Sequence, residues 1–371
     1  MDRLPDDDEL FVRAVRRLAP LSEEQVERAR DLQRRMREMG LTPKPLAEIL
    51  LETGAVDADG HRRAVEAVQR VKEAFRIPGY KLLEKLGRGS MGVVYKARQL
   101  NLDRVVAIKV LSKSLAKNEG FVRRFLKEAR VVGRLNHPNV VQGFDAGAAG
   151  GVYYFAMEYC DGPTVLQILK RGGAVDEGRA LKIVTQVARA LDHAHEEGLV
   201  HRDVKPDNIM IVEGGTAKLC DLGLAKDLSI ESGSTADGAT VGTPNYISPE
   251  QARGDAVVDI RSDIYSLGAT FYHLLTGVPP FDGPNPAVIM VKHLNEPPTP
   301  PRHRRPELAP AVERIVLKML AKNPRDRYQT PAALLRDLEA AAGGGASARS
   351  PAAPARAPVS SLSIRTRRRP R

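Results

Sequence analysis

Apolar positions change their period twice along the chain, and these changes divide it into three parts. In residues 1–76 apolar side chains recur at three- and four-residue steps, which predicts amphipathic helices. One of these helices begins after Ser22, because Ser22 and Gln25 have the residue types and the spacing of a capping box, and it ends before Gly40. The sequence therefore predicts a helical segment at the start of the chain.

From Tyr80 onward the pattern becomes strand-like and then helical again. Short β-branched runs predict strands at residues 91–98, 105–111, 140–144 and 152–158. After residue 160, helical spacing predicts helices at residues 177–195, 260–276, 309–320 and 331–341. Strands followed by helices indicate an α+β architecture with two lobes, and we expect the functional site in the cleft between them.

Composition excludes several classes of protein. A hydrophobic share of 42% is enough for a buried core and excludes a chain that is disordered throughout. No uncharged apolar run reaches the roughly 18 residues of a membrane helix, and the acidic N-terminus has the wrong sign for a secretory signal. The two cysteines, Cys160 and Cys220, are too few for a disulfide framework or a cysteine-based zinc site. We therefore expect a cytoplasmic protein without a membrane span.

The net charge of +11 is spread unevenly along the chain. Residues 343–371 contain seven arginines and no acidic residue, whereas residues 1–78 carry a net charge of −1. The part between them is only weakly basic, at about +5, so nucleic acid is not an expected partner. The tail is rich in Ala, Pro, Ser and Arg without any period, which predicts disorder. Its charge is interpreted as a solvated end rather than a binding site for anionic lipid or nucleic acid.

The first candidate for chemistry is a glycine pattern formed by Gly87, Gly89 and Gly92. A plain glycine turn or a dinucleotide-binding loop would have the same G-x-G-x-x-G form, but in a dinucleotide fold the third glycine opens a helix. Here Gly92 is followed by Val93, Val94 and Tyr95, which favour a strand. We therefore predict a hairpin whose backbone amides approach phosphate oxygens.

A lysine and a glutamate form the second candidate. Lys109 lies in the predicted strand at residues 105–111, and Glu128 is the one carboxylate on the apolar face of a predicted helix that includes Phe125 and Val132. A buried carboxylate needs a cation, and the nearest candidate in this pattern is Lys109. The sequence therefore predicts a pair between Lys109 and Glu128, with a solvated strand lysine as the alternative.

The segment from His201 to Asn208 combines an acid, a cation and an amide within one turn region. The carboxylate of Asp203 can accept a proton from a hydroxyl group, and Asn208 offers an oxygen to a hard cation. Asp221 follows 18 residues after Asp203 and places a second carboxylate at a strand end. We interpret the segment as catalytic; two unrelated polar turns are the alternative.

Together these residues resemble the eukaryotic-like, or Hanks-type, Ser/Thr protein kinases of bacteria, over about Tyr80 to Ala341. The resemblance implies a two-lobed protein-kinase fold, ATP and Mg²⁺ as cofactors, and protein Ser/Thr hydroxyls as phosphoryl acceptors. It implies that the three glycines cover the phosphates and that Lys109, partnered by Glu128, contacts the α- and β-phosphates. It further implies Asp203 as catalytic base, Lys205 at the γ-phosphate, and Asn208 and Asp221 as Mg²⁺ ligands.

The resemblance also implies a nucleotide pocket and its supports. Met157 would be the gatekeeper of a hinge at residues 157–160. The further residues implied around the nucleotide are Leu86, Val94, Ala107, Glu158, Cys160 and Met210. Glu250 is expected to pair with Arg327, and Asp263 to brace the catalytic loop.

Two features favour Ser or Thr over Tyr as the phosphoryl acceptor. Lys205 lies two residues after Asp203, and residues 242–246 resemble the Ser/Thr-type docking segment.

One departure from the family pattern affects the packing behind the regulatory helix. Gly143 stands where the family generally has a larger apolar residue that packs behind the regulatory helix. We expect the helix that carries Glu128 to be held less firmly there, with Phe144 as the residue that fills the gap.

Residues 221–250 are rich in Ser and Thr. Because Arg202 directly precedes Asp203, a phosphate on this segment would meet a cation and order the loop. We predict autophosphorylation at Thr235 or Thr240 and a structural role for Thr243, whereas an unmodified solvated loop is the alternative. Cys160 and Cys220, beside the predicted pocket, are interpreted as small buried fillers, and labelling of Cys220 by an electrophile in the ATP site is the alternative.

The chain is expected to have three parts: a helical N-terminal extension at 1–78, a kinase domain at 79–342 and a disordered basic tail at 343–371. Within the extension, residues 45–54 resemble a helical module at the front of secretion-type ATPases. We interpret the extension as a docking or self-association element. A pseudokinase scaffold is the alternative to an active enzyme. The intact set of candidate catalytic and metal-binding residues argues against it.

Overall fold

The N-terminal helices enclose a core of their own in the computed structural model, which describes residues 7–74, 77–89, 91–221 and 244–344. These helices are α1 (Asp7–Arg16), α2 (Glu23–Glu38), α3 (Leu46–Glu52) and α4 (Ala58–Ala74). Their shared core includes Phe11, Val26, Ile49 and Leu50, each 2% exposed or less. The predicted capping box is confirmed, since the Oγ of Ser22 accepts from the Gln25 amide and the Gln25 side chain accepts from the Ser22 amide.

An antiparallel five-stranded sheet follows, with the strand order β1-β2-β3-β5-β4. The strands are β1 (Tyr80–Gly89), β2 (Gly92–Gln99), β3 (Arg104–Leu111), β4 (Gly143–Ala149) and β5 (Val152–Glu158). Helix α5 (Glu119–Val132) packs against one face of this sheet, and Phe125 on that helix is fully buried. The strands predicted at 91–98, 105–111 and 152–158 are confirmed.

The strand predicted at residues 140–144 is wrong in its position, because β4 begins at Gly143. The buried pair Val140 and Val141 belongs to the junction between the lobes instead. Val140 forms a parallel bridge with Leu219, and the amide of Val141 donates to the Leu219 carbonyl over 3.0 Å. Their apolar character therefore reflects contact with the second lobe rather than membership of the sheet.

The expectation that Phe144 fills the space left by Gly143 is also wrong. Phe144 lies at a bulge in β4 and packs with the core on the opposite face of the sheet, where the guanidinium of Arg104 lies 3.6 Å from the centre of its ring. The ring that reaches Gly143 is that of Phe155, on β5.

The second lobe is mainly helical. Its elements are α6 (Val165–Gly172), α7 (Glu177–Glu196), the hairpin of β6 (Ile209–Val212) and β7 (Thr216–Leu219), α8 (Pro249–Arg253), α9 (Ile260–Thr276), α10 (Pro286–Asn295), α11 (Pro301–Arg304), α12 (Pro310–Met319) and α13 (Pro331–Gly344). Short 3₁₀ turns occur in this lobe at Pro206–Asn208, Glu213–Gly215 and Pro324–Asp326, and a further one, Leu115–Lys117, precedes α5 in the first lobe. The helices predicted at 177–195, 260–276, 309–320 and 331–341 are confirmed to within a few residues.

Helix α9 forms the centre of the second lobe. Nearly all of its side chains are buried, including Tyr265 and Phe271, because it is apolar on every side and is covered by neighbouring helices. Two of its buried polar side chains connect it to other elements, because Ser262 donates to Glu250 on α8 and Asp263 accepts from the backbone amide of His201. The helix therefore serves as a rigid support for the candidate site.

Hydrogen bonds join the two lobes behind the cleft. The amide of Leu219 donates to the carbonyl of Asn139 over 2.8 Å, and the Asn139 side chain donates to the Ala217 carbonyl over 2.8 Å. These bonds fix β7, and with it Cys220 and Asp221, against the loop between α5 and β4.

Some predicted features cannot be compared with the structure. Thr235, Thr240, Thr243 and the tail beyond 344 lie outside the described residues. Among the described residues, no helix combines the length and the apolar character needed to cross a bilayer.

Candidate active site

The glycine pattern lies in a hairpin, as predicted. Gly89 at the end of β1 pairs with Gly92 at the start of β2, so the third glycine opens a strand and not a helix. A Cβ atom at Gly92 would lie 1.9 Å from the carbonyl oxygen of Val110, whereas at Gly87 and Gly89 it would meet nothing within 4 Å. Residue 92 must therefore be glycine, because the backbone of β3 leaves no room for a side chain there. At the other two glycines, the space next to the backbone is open.

Lys109 lies in the second half of β3, on the face of the sheet that looks towards the cleft. It is 7% exposed, and its Nζ donates to the Oδ1 of Asp221 over 2.8 Å. Glu128 lies on α5, on the side of that helix that includes Phe125. A pair between Lys109 and Glu128 remains a prediction, and the observed ion pair of Lys109 is with the residue predicted to hold metal.

Asp221 directly follows the residues that join the two lobes. Its backbone is left-handed, with φ of 57°, a conformation that Asp tolerates better than most residues. Burial alone would raise the pKa of the Asp221 carboxyl, but the charge and hydrogen bond of Lys109 outweigh burial and hold the pKa below its ordinary value. The carboxylate is therefore ionised near neutral pH, as a cation ligand must be.

Asp203 and its neighbours form a small polar cluster at the base of the cleft. The Oδ2 of Asp203 accepts from Lys205 Nζ over 2.8 Å and from Asn208 Nδ2 over 3.1 Å. Asn208 Nδ2 also donates to the Asp203 backbone carbonyl over 2.8 Å. Since its amide nitrogen is engaged, Asn208 has its side-chain oxygen to offer to a cation.

A backbone hydrogen bond connects the two predicted metal ligands. The amide of Cys220 donates to the carbonyl of Asn208 over 2.9 Å, so Asp221 follows directly from a residue bonded to Asn208. One carboxylate and one amide oxygen suit Mg²⁺, which is bound by few protein oxygens together with water and substrate phosphates. Within the described part of the chain there is no group of three His, Cys, Asp or Glu side chains that could hold a metal ion.

The loop at residues 201–208, which carries the candidate base Asp203, is held from below by α9. The Asp263 carboxylate accepts from the backbone amide of His201 over 2.6 Å and from that of Arg202 over 2.7 Å, and Asp263 is fully buried. Arg202 has a left-handed backbone with φ of 63°. These contacts confirm that Asp263 braces the loop, because they fix a strained backbone directly before Asp203.

Two supporting contacts were missed in the sequence. His201 is fully buried, and its Nε2 lies 3.0 Å from the carbonyl oxygen of Cys220, so it connects the loop to the segment that carries Asp221. Gln251 on α8 donates to the Arg202 carbonyl over 2.8 Å. Neither contact has a signal in residue spacing, because the partners are backbone carbonyls.

The residues predicted around adenine come from both lobes. Ala107, Met157 and Cys160 are buried in the main core, and Val94 and Met210 pack against it from either side. Leu86, by contrast, is 43% exposed on β1. The hinge amide of Glu158 donates to the Gln142 carbonyl over 2.9 Å.

The side chain of Glu158 makes a contact that the sequence did not indicate. Its Oε2 accepts from Lys218 Nζ on β7 over 2.9 Å, and Lys218 is largely buried. This ion pair links the hinge to the second lobe.

Burial governs the chemistry of both cysteines. It raises the pKa of the Cys160 thiol to about 11 and raises the pKa of Cys220 well above its ordinary value. Both residues are free thiols, and little thiolate forms near neutral pH. This supports their interpretation as apolar fillers.

The predicted pair of Glu250 and Arg327 is confirmed. Arg327 Nη1 and Nη2 donate to the two carboxylate oxygens of Glu250 over 2.7 and 2.9 Å, and Ser262 donates a further hydrogen bond to the same carboxylate. Arg327 also donates to the backbone carbonyls of Ala321, Arg261 and Lys322. The pair anchors α8, and thus Gln251, to the core of the second lobe.

Comparison with known proteins agrees with this geometry. Residues 80–337 match the family model described as "Protein kinase domain". The chain is 45% identical over 264 residues to the serine/threonine-protein kinase PknB of Mycolicibacterium smegmatis, covering 70% of this chain and 42% of that protein. It is 44% identical over 271 residues to the serine/threonine-protein kinase pkn3 of Myxococcus xanthus, covering 70% of this chain and 49% of that protein. The chain thus spans less than half the length of these relatives.

Solved structures give the same result for the fold. The kinase domain of PknI from Mycobacterium tuberculosis superposes in one crystal structure with a TM-score of 0.59 at 32% identity, over 73% of this chain and 98% of that one. A further crystal structure of the same domain gives a TM-score of 0.58 at 34% identity, over 72% of this chain and 98% of that one. From the family match, the relatives and the two-lobed fold, we conclude that this chain belongs to the protein kinase family.

Proposed function

We propose that the protein is a Ser/Thr protein kinase that transfers the γ-phosphoryl group of ATP to hydroxyl groups of protein substrates. The observation that carries the proposal is the contact of Lys109 with Asp221 across the cleft at 2.8 Å. Asn208, which is bonded to Asp203, is linked to the segment of Asp221 by the backbone hydrogen bond from Cys220. One cationic, two carboxylate and one amide side chain thus lie together at one end of a cleft between two lobes. This set is suited to phosphoryl transfer, which depends on positioning and charge neutralisation.

ATP and Mg²⁺ are the cofactors in this proposal. Asn208 and Asp221 would hold Mg²⁺, Lys109 would contact phosphate oxygens, and the open backbone at Gly87 and Gly89 would lie over the phosphates. When bound, Mg²⁺ neutralises charge that develops on the phosphate oxygens. Lys109 would exchange its hydrogen bond with Asp221 for contacts to phosphate, which leaves the carboxylate available as a ligand.

Asp203 would receive the proton of the acceptor hydroxyl. Its Oδ2 is held by Lys205 and Asn208, so the carboxylate has a fixed orientation. Lys205 would move from Asp203 towards the phosphoryl group, where its charge offsets the negative charge of the group in transfer. The position of Lys205 two residues after Asp203, together with the names of the relatives, supports Ser or Thr as the acceptor.

Transfer of radiolabel from ATP to a generic protein substrate tests the proposal. Asp203→Asn keeps the shape of the side chain and removes the proton acceptor, so we expect a loss of at least about 100-fold in kcat, the scale of general base catalysis. Asp103→Asn is the matched control, because Asp103 lies on an exposed turn and pairs with Arg98 alone among the contacts described. Equal transfer by wild type and Asp203→Asn would reject the catalytic role, and no transfer by any of the three would favour the pseudokinase scaffold.

Regulation by autophosphorylation is part of the proposal. Arg202 lies at the end of the cleft, with its carbonyl held by Gln251, and could receive a phosphate from the Ser/Thr-rich segment. We expect phosphate on Thr235 or Thr240 after incubation with ATP. Intact-mass and peptide mass spectrometry of wild type, Thr235→Ala and Thr240→Ala would detect it, and an unmodified segment in active enzyme would contradict it.

The N-terminal helices would serve as a self-association element. They have a separate core, and α2 and the residues after it expose Leu32, Met39 and Leu41 to solvent by 45 to 66%. Light scattering of the full chain and of Leu32→Glu/Met39→Glu would test this, since a shift of the mass towards the monomer is expected for the variant.

A cytoplasmic location is also proposed, and the two free thiols support it.

A further inference from the structure

Five residues of three strands share the face of the sheet that looks towards α5 and the cleft. Residues directly opposite each other in antiparallel strands point to the same face. Lys109 is opposite Phe155, Ala107 is opposite Met157, and Gly143 is opposite Met157 as well. Phe155 therefore stands next to the candidate catalytic lysine, on the side of the sheet that is covered by α5.

The ring of Phe155 occupies the volume that a side chain at residue 143 would need. A Cβ atom built on Gly143 would lie 2.9 Å from Cζ and 3.0 Å from Cε2 of Phe155, closer than real Cβ atoms come to such atoms. Phe155 is 3% exposed. The ring and the bare backbone of Gly143 therefore form one steric unit, in which the glycine makes room for the phenylalanine.

The same unit touches the end of α5. The Cβ position of Gly143 is only 3.2 Å from the Cα atom of Gly133, which ends α5. Phe155 belongs to the same hydrophobic core as Phe125 and Ala129, which flank Glu128 on α5. Strand β4, the ring of Phe155 and helix α5 are thus packed against each other without a side chain from residue 143.

We propose that Phe155 is a positioning residue for phosphoryl transfer. By filling the space above Gly143, it holds α5, and with it Glu128, at a fixed distance from Lys109. It also fixes the part of β5 that lies directly opposite Lys109. This role rests on the proposed kinase function, because it concerns the alignment of Lys109 for catalysis.

The proposal can be tested by making residue 143 large and residue 155 small. Phe155→Ala leaves a cavity beside Lys109, and Gly143→Leu forces a side chain into the ring. Each single variant should lower kcat by about 10- to 100-fold, the cost of misplacing a catalytic group by roughly an ångström. The double variant Gly143→Leu/Phe155→Ala restores apolar volume from the opposite strand, and its kcat should return towards that of the wild type.

Phe144→Ala is the matched control, since it removes a neighbouring ring from the opposite face of the sheet, where it contacts Arg104. It should lower the melting temperature and leave kcat unchanged at temperatures where the protein is folded. Wild-type kcat in folded Phe155→Ala would overturn the proposal. A double variant whose kcat is no higher than that of the less active single variant would also overturn it.

Hydrogen exchange of α5 provides a readout that does not depend on activity. The amides of α5 should exchange at least about tenfold faster in Phe155→Leu, which is a milder truncation, and at the wild-type rate in Phe144→Ala. Unchanged protection of α5 in Phe155→Leu would overturn the proposal even if the alanine variant did not fold. A wild type that folds normally but transfers no phosphoryl group would instead reject the kinase function, and the positioning role of Phe155 with it.

Discussion

Arg327 binds Glu250 through two parallel hydrogen bonds of 2.7 and 2.9 Å in the interior of the second lobe. The side chains are 0% and 7% exposed, so each charge depends on the other for its compensation. Three backbone carbonyls accept the remaining hydrogen bonds of the guanidinium. The two residues are far apart in sequence and connect α8, which supports the loop before Asp203 through Gln251, to the segment between α12 and α13.

Removing the cationic side chain of Arg327 should therefore destabilise the folded protein. Arg327→Met leaves the Glu250 carboxylate buried without its partner, and we expect the free energy of unfolding to fall by about 3–5 kcal/mol. Urea denaturation measures this change. The control is Arg189→Ala, which breaks the ion pair between Arg189 and Glu339. This pair has a similar length, but both of its side chains are about half exposed. Its loss should cost no more than about 1 kcal/mol. Equal losses in the two variants would contradict the assignment of a buried anchor.

The same pair predicts how stability depends on pH. Burial alone would raise the pKa of Glu250, but the hydrogen bonds and charge of Arg327 outweigh burial and hold the pKa below its ordinary value of 4.5. The unfolded chain therefore binds this proton at a higher pH than the folded protein does. The stabilisation is complete above about pH 4.5 and is lost as the pH falls below that value.

We expect the wild type to lose stability steadily below about pH 4.5, and Glu250→Gln to show a shallower decline. The decline should not vanish, since the pKa values of Asp221 and Asp259 are also lowered in the fold. Chemical denaturation at a series of pH values gives both slopes. Parallel slopes for the wild type and the variant would show that Glu250 keeps its ordinary pKa in the folded protein.

The glycines of the hairpin should differ in their tolerance of a methyl group. Gly92→Ala places a Cβ atom 1.9 Å from the carbonyl oxygen of Val110, so β2 and β3 must separate. We expect a loss of stability of about 1–3 kcal/mol, as for overpacked sites. Gly87→Ala meets nothing within 4 Å and should change stability by less than about 0.5 kcal/mol. Thermal denaturation separates the two, and equal melting temperatures would contradict the close approach.

The part of the site that is local in sequence could be predicted from sequence. Asp203 and Asn208 lie five residues apart on one loop, and the structure places their side chains in direct contact. The pair of Glu250 and Arg327 was predicted across a long separation only because the residue types resemble a known family. Charge complementarity alone would have allowed many other partners for either residue.

The errors in prediction have a common physical cause. Val140 and Val141 have the β-branched character of a strand, yet they are buried by contact with Leu219 of the second lobe. Phe144 is adjacent to Gly143 in sequence but belongs to the other face of the sheet, so the ring of Phe155 fills the space instead. In both cases burial results from contact with a residue that is distant in sequence, and periodicity does not report which surface a side chain meets.

The contact of Asp263 with the catalytic loop yields the last prediction. Its carboxylate accepts two backbone amides, those of His201 and Arg202, and it does so in a fully buried position. Asp263→Asn keeps the shape but replaces one acceptor oxygen by a donor, which leaves one of these amides without a partner. Because Arg202 has a left-handed backbone that these bonds help to hold, the loop should relax and displace Asp203.

We expect Asp263→Asn to cost about 1–3 kcal/mol of stability and to lower kcat by about 10- to 100-fold, because Asp203 moves away from the acceptor hydroxyl. Asp259→Asn is the control on the same helix, where the side chain caps α9 and contacts Arg261. It should keep its kcat within about threefold of wild type, because it touches no residue of the loop. If Asp263→Asn kept full kcat while losing stability, the aspartate would support the fold without positioning Asp203.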